Sequence, residues 1–296
     1  MFSPSESMLL QTMIQQIDPS KTDIIQNLKD EKYALALRKA CGVKLYPFIM
    51  MMLDYVDELS IELNEKSSNG MTALDWLDQA GTGPFSTVHQ TAREKLRAKG
   101  AMSGLIRSTV DFDKNSALFL GTDEMALAFP DSDYPVIGTL GAGQCIILCV
   151  YDSMLKKALL THISGLDERS PKMVNTVNKA LSSFTSAHSS AYIVGGVDNS
   201  ISRLTHQKIT QLLNDRNINI KYQKVFQGSY QNGVCQSESF AINASNGHCY
   251  SNLGISHFEY TEERAMASTE PPLGDIGIVE NTKSVKSSEG MSCRIS

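Results

Sequence analysis

The spacing of apolar residues changes near residue 105, and this change divides the chain into two kinds of structure. Before it, segments such as KYALALRKACG and LYPFIMMMLDYVDEL repeat apolar residues at helical spacing, which predicts amphipathic helices. After it, short apolar and β-branched segments bounded by Gly, Asn, Asp and Ser predict strands. The strand segments are SALFLG, TLGAGQCIILCVYD, KALLTHIS, SAYIVGG, IKYQKVF, ESFAINAS and HCYSNLG.

Two further helical segments, SPKMVNTVNKALSSFTSA and SRLTHQKITQLLNDRN, interrupt the strands. This order predicts an α+β fold, with a β-sandwich or mixed sheet flanked by helices. We therefore expect a helical module over residues 1–105 and a second domain over residues 106–260. Residues 261–296 are rich in Ser, Pro, Gly and charge, which predicts a disordered tail.

The segment SSNGMTALDWLDQAG carries a turn followed by a helix start. Asn69-Gly70 favours the turn, and Thr72 can cap a helix that begins at Ala73. NGMTAL resembles the turn and first helix of an ankyrin repeat, with Ala73 at the usual proline and Asp75 at the usual histidine. The resemblance implies one or two degenerate repeats over about residues 30–100 that form a protein-binding surface. A small helical bundle is the alternative.

Composition narrows the class of protein. The 296-residue chain has a net charge of -5, which argues against a nucleic-acid partner. No apolar run approaches the length of about 18 residues that spans a bilayer, and the N-terminal segment lacks secretory-signal features. The six cysteines form no Cys-x-x-Cys pair, so we expect free thiols in a reducing cytoplasm and neither metal nor cofactor.

Cys145 follows a glycine-rich loop, and His162 ends the next apolar segment. The two residues are equidistant from the midpoint between Ser153 and Met154. A symmetric hairpin around DSML would place them directly opposite each other, with Cβ atoms about 4.5–5.5 Å apart. The imidazole could then take the thiol proton and generate a nucleophilic thiolate. The argument depends on the register of this hairpin.

The loop before Cys145 supplies the other groups that such chemistry needs. Gly138, Gly141 and Gly143 let the backbone turn and present amide N–H groups that could form an oxyanion hole. The hydroxyl of Thr139 could orient the imidazole, as the third member of a triad does. The alternative interpretation is that Cys145 is a small buried apolar residue of a strand.

The spacing of Thr139, Cys145 and His162, with LGAGQCIILCVYD around the cysteine, resembles the chemotaxis receptor glutamine deamidases, the CheD-like family. The middle of the chain also resembles the eukaryotic protein N-terminal asparagine amidohydrolases, over LLTHISGLDERSPKMVNTVNKALSSF, YIVGGVDNSISRLTHQKITQLL and FAINASNGHCYSN. Together the resemblances cover about residues 115–255. Both families hydrolyse a side-chain carboxamide in a protein through a cysteine thioester.

These resemblances imply roles for individual residues. Cys145 would be the nucleophile, His162 the general base and then acid, and Thr139 the orienting group. The glycine pair of YIVGG would let the substrate approach closely. Asp198, just after this pair, could bind a substrate amino group, and a solvated turn is the alternative. Gln144 stands where the chemotaxis family usually has serine, so the identity of the substrate is open. The substrate-binding residues implied in this way are Gln144, Gly195, Gly196 and Asp198.

The expected function is therefore a cysteine-dependent deamidase acting on an N-terminal Asn or an internal Gln of a protein. Two alternatives remain. One is an ankyrin-type binding module joined to a catalytically inactive deamidase-like domain. The other is a transglutaminase-type acyl transferase, in which an amine replaces water at the thioester.

The last four residues, Cys293-Arg294-Ile295-Ser296, fit a Cys-a-a-X prenylation pattern imperfectly. Coincidence is the alternative explanation. If Cys293 were prenylated, the protein would need a second membrane signal for stable anchoring. An ankyrin-like module before a deamidase would also suit a bacterial effector acting in a eukaryotic host cytosol or at a membrane surface.

Overall fold

The first part of the chain folds into helices. The structure is a computed structural model that describes residues 8, 11–12, 14–15, 17–79, 86–107, 110–113, 116–166, 170–226, 237–253 and 276–281. The helices here are α1 (Thr22–Lys29), α2 (Tyr33–Gly42), α3 (Tyr46–Asp54), α4 (Ala73–Asp78) and α5 (Thr87–Ala98). Their apolar faces, including Leu37, Phe48 and Leu96, pack into one core.

The rest of the described chain forms two mixed sheets and two helices. The strands are β1 (Ile106–Arg107), β2 (Ala117–Leu120), β3 (Glu124–Ala128), β4 (Val136–Ala142), β5 (Ile146–Asp152), β6 (Lys157–Ile163), β7 (Ser189–Val197), β8 (Asn219–Phe226), β9 (Glu238–Asn243), β10 (Cys249–Ser251) and β11 (Gly277–Ile278). The two helices are α6 (Pro171–Leu181) and α7 (Ser200–Asn214). One sheet has the order β1-β10-β9-β4-β2 and the other the order β11-β3-β6-β5-β7-β8.

The two sheets pack face to face. Alternate residues of each sheet point into a shared apolar core, with Ile147, Leu160 and Val194 from the six-stranded sheet and Ile137 and Phe240 from the five-stranded sheet. The opposite face of the six-stranded sheet is covered by α6 and α7. Because β5, β6 and β7 are buried on both faces, they have continuous apolar stretches rather than alternating ones.

A buried polar network joins the helical region to the edge strand β8. Arg93 Nε donates to both carboxylate oxygens of Asp78, at 2.8 and 2.9 Å. Arg93 Nη2 also donates to the hydroxyl of Tyr222 at 3.2 Å, and Gln90 Nε2 donates to the carbonyl of Val225 at 3.2 Å. Since a charged group is buried at low cost only when it is paired, this network fixes where α5 lies against the sheet.

These elements confirm the α+β class. The predicted segment TLGAGQCIILCVYD, however, is divided between β4 and β5, which lie in different sheets, and β3 was not predicted. The helix expected after Thr72 begins at Ala73, and the Thr72 amide donates to Asp75 at 2.9 Å, as in a capping box. The ankyrin-like identity of residues 1–105 stays a prediction. Among the described residues, no helix is long and apolar enough to cross a membrane.

The described residues 276–281 correct the expectation of a disordered tail over part of its length. Gly277–Ile278 forms β11 and pairs in parallel with β3. Ile276 is buried, and the side-chain amide of Asn281 donates to the carbonyls of Leu127 and Tyr134. The segment IGIVEN has three β-branched apolar residues, and pairing with β3 orders it within a region that is otherwise rich in Ser, Pro, Gly and charge. The rest of residues 261–296, Cys293 included, lies outside the described residues.

We expect Asp78→Ala to lower the free energy of unfolding by about 3–5 kcal/mol, because it leaves the Arg93 charge buried without its partner. Urea unfolding followed by circular dichroism would measure this change. Asp57→Ala is the matched control, since Asp57 forms an exposed ion pair with Lys99 on the same helical region and its removal should barely move the urea midpoint. Equal midpoints for Asp78→Ala and the wild type would contradict the account of the network.

Candidate active site

Two strands and a bend bring the predicted catalytic residues to one end of the space between the sheets. Thr139 lies in β4 of the five-stranded sheet, and His162 lies in β6 of the six-stranded sheet; both are buried. Cys145 lies in the bend that connects β4 to β5, directly before the first residue of β5, and is half-buried. The end of the sandwich therefore gathers a thiol, an imidazole and a hydroxyl from separate elements.

The register of the β5–β6 hairpin differs from the prediction by two residues. His162 pairs with Ile147 rather than with Cys145, so the expected direct opposition of Cys145 and His162 is wrong. The cause lies in the turn, where the Asp152 side chain accepts from the amides of Met154 and Leu155, at 3.0 and 2.9 Å. This Asx turn moves the centre of the hairpin one residue further along the chain.

The shift of two residues keeps His162 on the face of the sheet that the sequence predicted. Because side chains alternate with a period of two, a shift of two residues keeps His162 and Ile147 on the face that points between the sheets. Cys145 lies in the bend two residues before Ile147, and strand spacing continued into the bend would make it a diagonal neighbour of His162 rather than a direct one. Diagonal neighbours on two paired strands lie about 7–8 Å apart, which is close enough for longer side chains to touch.

A hydrogen bond across the two sheets orients His162. Thr139 Oγ1 lies 2.7 Å from His162 Nδ1 and donates its single proton to the carbonyl of Leu120 at 2.8 Å. The hydroxyl must therefore accept from Nδ1, which places the proton of the neutral ring on Nδ1. Nε2 is then the basic nitrogen, the form that a general base for a thiol requires.

Glu124 is a candidate site residue that the sequence analysis missed. It lies directly opposite His162 in the antiparallel pair β3–β6 and is 6% exposed. Its carboxylate accepts from the amide of Gly121 at 2.6 Å. Since directly opposed residues share a face, Glu124 and His162 lie next to each other on the face that points between the sheets. The alternation of Glu124 with Ala126 and Ala128 in EMALA was the available signal, but it needed knowledge of the strand partner.

The glycine pair Gly195 and Gly196 holds the cysteine bend. Gly196 N donates to the carbonyls of both Gly143 and Cys145, each at 2.9 Å. Gly195 has φ +100°, and a Cβ added there would collide with the carbonyl oxygen of Cys145. The group that approaches this glycine pair closely in the structure is thus the backbone of Cys145 itself.

The beginning of α7 forms a second attachment for the same bend. Ser202 Oγ donates to the carbonyl of Gln144 at 2.9 Å and accepts from the amide of Val197 at 3.3 Å. Asn199 caps the helix by accepting from the amide of Ser202 at 2.8 Å. The side chain of Gln144 is exposed beside Cys145. Contacts from β7 and from α7 together therefore fix the backbone of the cysteine bend.

The predicted substrate-binding residue Asp198 lies at the surface. Its carboxylate forms an ion pair with Arg203, with the Nη2 nitrogen at 2.5 Å and the Nε nitrogen at 2.6 Å. Both side chains are about half exposed, at 46% and 50%. A substrate amino group would have to compete with Arg203 for this carboxylate.

A buried ion pair lies in the neighbouring part of the space between the sheets. Lys224 pairs with Glu238, with side-chain exposures of 9% and 3%. Lys224 lies opposite Val194, the residue before the glycine pair, and Glu238 lies opposite Ala142, at the end of β4. Burial, together with Arg93 and Arg97, lowers the pKa of Lys224. This pair adds polar groups next to the cysteine bend within a core that is otherwise apolar.

The other cysteines in the described part of the chain are less accessible than Cys145. Cys41, Cys149 and Cys249 are free and buried, whereas Cys145 is half-buried. Burial raises the pKa of both the Cys41 and the Cys149 thiol, so neither ionises readily. Cys235 and His257 lie outside the described residues. Among the described residues, no group of three or more His, Cys, Asp and Glu side chains could hold a metal ion.

Comparisons with known proteins give little further information. No protein-family model matches the chain, and no curated protein matches it in sequence. The crystal structure of the Bacillus licheniformis hypothetical protein YfiH matches 41% of this chain at 12% sequence identity, with a TM-score of 0.26. The match spans 58% of the length of that protein. A likeness at this level carries no conclusion about fold or function.

We expect Thr139→Val to release the ring of His162 from a single tautomer, because the valine cannot accept from Nδ1. Nitrogen NMR of the imidazole would show the change. Thr161→Val is the matched control: Thr161 is the buried neighbour of His162 in β6, and its hydroxyl has no hydrogen-bond partner among the described residues. A wild-type tautomer in Thr139→Val would contradict the role assigned to the hydroxyl.

We expect Gly195→Ala to displace the backbone of Cys145, because the added Cβ meets its carbonyl oxygen and φ is in the left-handed region. The variant should lower the alkylation rate of Cys145 at least about tenfold, with a reduced melting temperature. Gly165→Ala serves as control, since its added Cβ would lie at an ordinary 3.6 Å from the Ile201 side chain. Unchanged labelling of Cys145 in Gly195→Ala would refute this dependence.

Proposed function

We propose that this chain is a cysteine-dependent amidohydrolase that deamidates a side-chain carboxamide in a protein. The observation that carries the proposal is the hydrogen bond between Thr139 and His162, which leaves Nε2 as the basic nitrogen at the end of the sandwich where Cys145 lies. The resemblance of this triad to the glutamine deamidases and the N-terminal asparagine amidohydrolases supports the same reaction.

The first half of the proposed reaction forms a thioester. His162 Nε2 takes the thiol proton of Cys145, and the thiolate attacks the carboxamide carbon, forming a C–S bond and a tetrahedral oxyanion. Amides of the bend at Gly143–Cys145 are the proposed donors to this oxyanion. The protonated His162 then gives its proton to the amide nitrogen, the C–N bond breaks, and ammonia leaves.

The second half hydrolyses the thioester. His162, neutral again, takes a proton from a water molecule that attacks the acyl carbon. The C–S bond breaks, the sulfur regains a proton from His162, and a carboxylic acid leaves the site. Thr139 keeps the imidazole oriented during both halves, and Glu124 stabilises the imidazolium that forms in each. Neither half requires a cofactor.

The architecture also supports a protein as the substrate. The helical region is bound to the catalytic domain through the buried Asp78–Arg93–Tyr222 contacts, so a protein held on the helices would remain close to the sandwich. The exposed Gln144 lies beside the nucleophile, where it can contact a substrate chain. The identity of the carboxamide, N-terminal Asn or internal Gln, follows from which peptide is hydrolysed.

We expect ammonia release from one of two peptide sets, one with N-terminal Asn and the other with internal Gln. Cys145→Ala should abolish the release, and His162→Ala should lower it at least about a hundredfold, as expected for loss of a general base. Thr161→Val should keep wild-type activity. Ammonia release that persists in Cys145→Ala would overturn the proposal.

Adding a primary amine to the same reactions separates hydrolysis from acyl transfer. Mass spectrometry would detect the amine attached to the peptide if the chain were a transglutaminase-type enzyme. Peptide conversion to the free acid alone favours the deamidase. If neither product forms and Cys145 is no more reactive than a free cysteine, the chain is an inactive deamidase-like protein.

A further inference from the structure

A cleft separate from the cysteine site opens where the helical region meets the edge of the sandwich. Its volume is about 860 Å³, and neither Thr139, Cys145 nor His162 lines it. Its walls come from the segment around Lys66, the end of α5 at Arg97, β1 at Arg107, Tyr222 of β8, and His248 directly before β10. Such a volume lies within the range of about 300–1,000 Å³ that is typical of small-molecule sites.

The charges on the walls of this cleft are mostly positive. Lys66, Arg97 and Arg107 line it together with one carboxylate, that of Asp111. Arg107 already pairs with Asp111, with Nη1 at 2.5 Å from Oδ2. No carboxylate within the described ranges forms an ion pair with Lys66 or Arg97. In a chain whose net charge is -5, this is a local excess of positive charge.

The side chain of Arg97 also lies near a second positive charge, that of Arg93. The Arg97 side chain is exposed, and its partial desolvation and the nearby charge of Arg93 lower its pKa, while Asp78 acts in the opposite direction. Two guanidinium groups held close together repel each other, and only Arg93 has a carboxylate partner, Asp78. An anion bound beside Arg97 would reduce that repulsion.

His248 adds a hydrogen-bond donor, its ring N–H group, to the wall of the cleft. Its Nε2 lies 2.9 Å from Arg107 Nη2, and because a guanidinium can only donate, Nε2 must accept. The proton of the neutral ring is therefore on Nδ1. That buried nitrogen has no acceptor among the residues that the structure describes. A buried N–H group without an acceptor is unfavourable, and an oxygen acceptor brought within hydrogen-bond distance of it would remove that cost.

We propose that this cleft binds a phosphate group carried by a molecule of about nucleotide size. Arginine forks and a lysine ammonium are the side chains that recognise phosphate oxygens most effectively. The ring of Tyr222 and the side chains of Leu74 and Ile106 supply apolar contacts for the rest of the molecule. The phosphate belongs either to a free small molecule or to a phosphorylated side chain of a bound protein.

Isothermal titration of the full chain with ATP, pyrophosphate and a phosphoserine peptide tests the proposal, with sodium sulfate as a reference anion. We expect at least one phosphate compound to bind more tightly than sulfate. Arg97→Gln and Lys66→Gln should each weaken that binding about tenfold. Lys99→Gln, which removes a positive charge just beyond α5 and outside the cleft, should bind within about twofold of the wild type.

The outcomes also identify the source of the phosphate. Tighter binding of ATP or pyrophosphate indicates a free small molecule, and tighter binding of the phosphopeptide indicates a phosphorylated protein. Failure of every phosphate compound to exceed sulfate, or equal binding by Arg97→Gln and the wild type, would overturn the proposal. Cys145→Ala should bind like the wild type, so this result is independent of the proposed deamidase activity.

Discussion

The hydrogen bond between His162 and Thr139 depends on the face-to-face packing of the two sheets, and the position of the proton on the imidazole depends on that bond. One partner belongs to each sheet, and both are buried. The donation from Thr139 to the carbonyl of Leu120 determines which imidazole nitrogen carries the proton. A polar pair in an apolar core is stable only when its hydrogen bonds are made. The packing of the two sheets and the tautomer of His162 therefore depend on each other.

The cysteine bend is held by contacts that lie outside the triad. Gly196 donates to its backbone, Gly195 leaves room for the Cys145 carbonyl, and Ser202 donates to the Gln144 carbonyl. These contacts come from the end of β7 and the first turn of α7. A nucleophile in a loop gains a defined position when rigid elements hold both sides of the loop. The YIVGG segment and the start of α7 therefore fix the position of Cys145 through contacts that involve neither Thr139 nor His162.

The sequence predicted the local elements well and the non-local pairings poorly. Apolar periodicity located the strands and helices, and the role of Thr72 as a cap followed from its position before Ala73. The hairpin register was wrong because the Asp152 side chain selects the turn, an interaction that a symmetry argument ignores. Glu124 was missed because β3 pairs with β6, which is distant in sequence. β11 was missed because its short apolar segment, IGIV, lies within a region whose overall composition predicts disorder, and its partner β3 is distant in sequence.

The measurement that tests the central claim most directly is the rate of iodoacetamide labelling at each cysteine, followed by mass spectrometry across mildly acidic and neutral pH. If His162 activates Cys145, this thiol reacts at mildly acidic pH and faster than Cys41, Cys149 and Cys249, and His162→Ala removes the advantage while Thr161→Val keeps it. Equal labelling of Cys145 in the wild type and in His162→Ala would contradict the proposed catalytic pair.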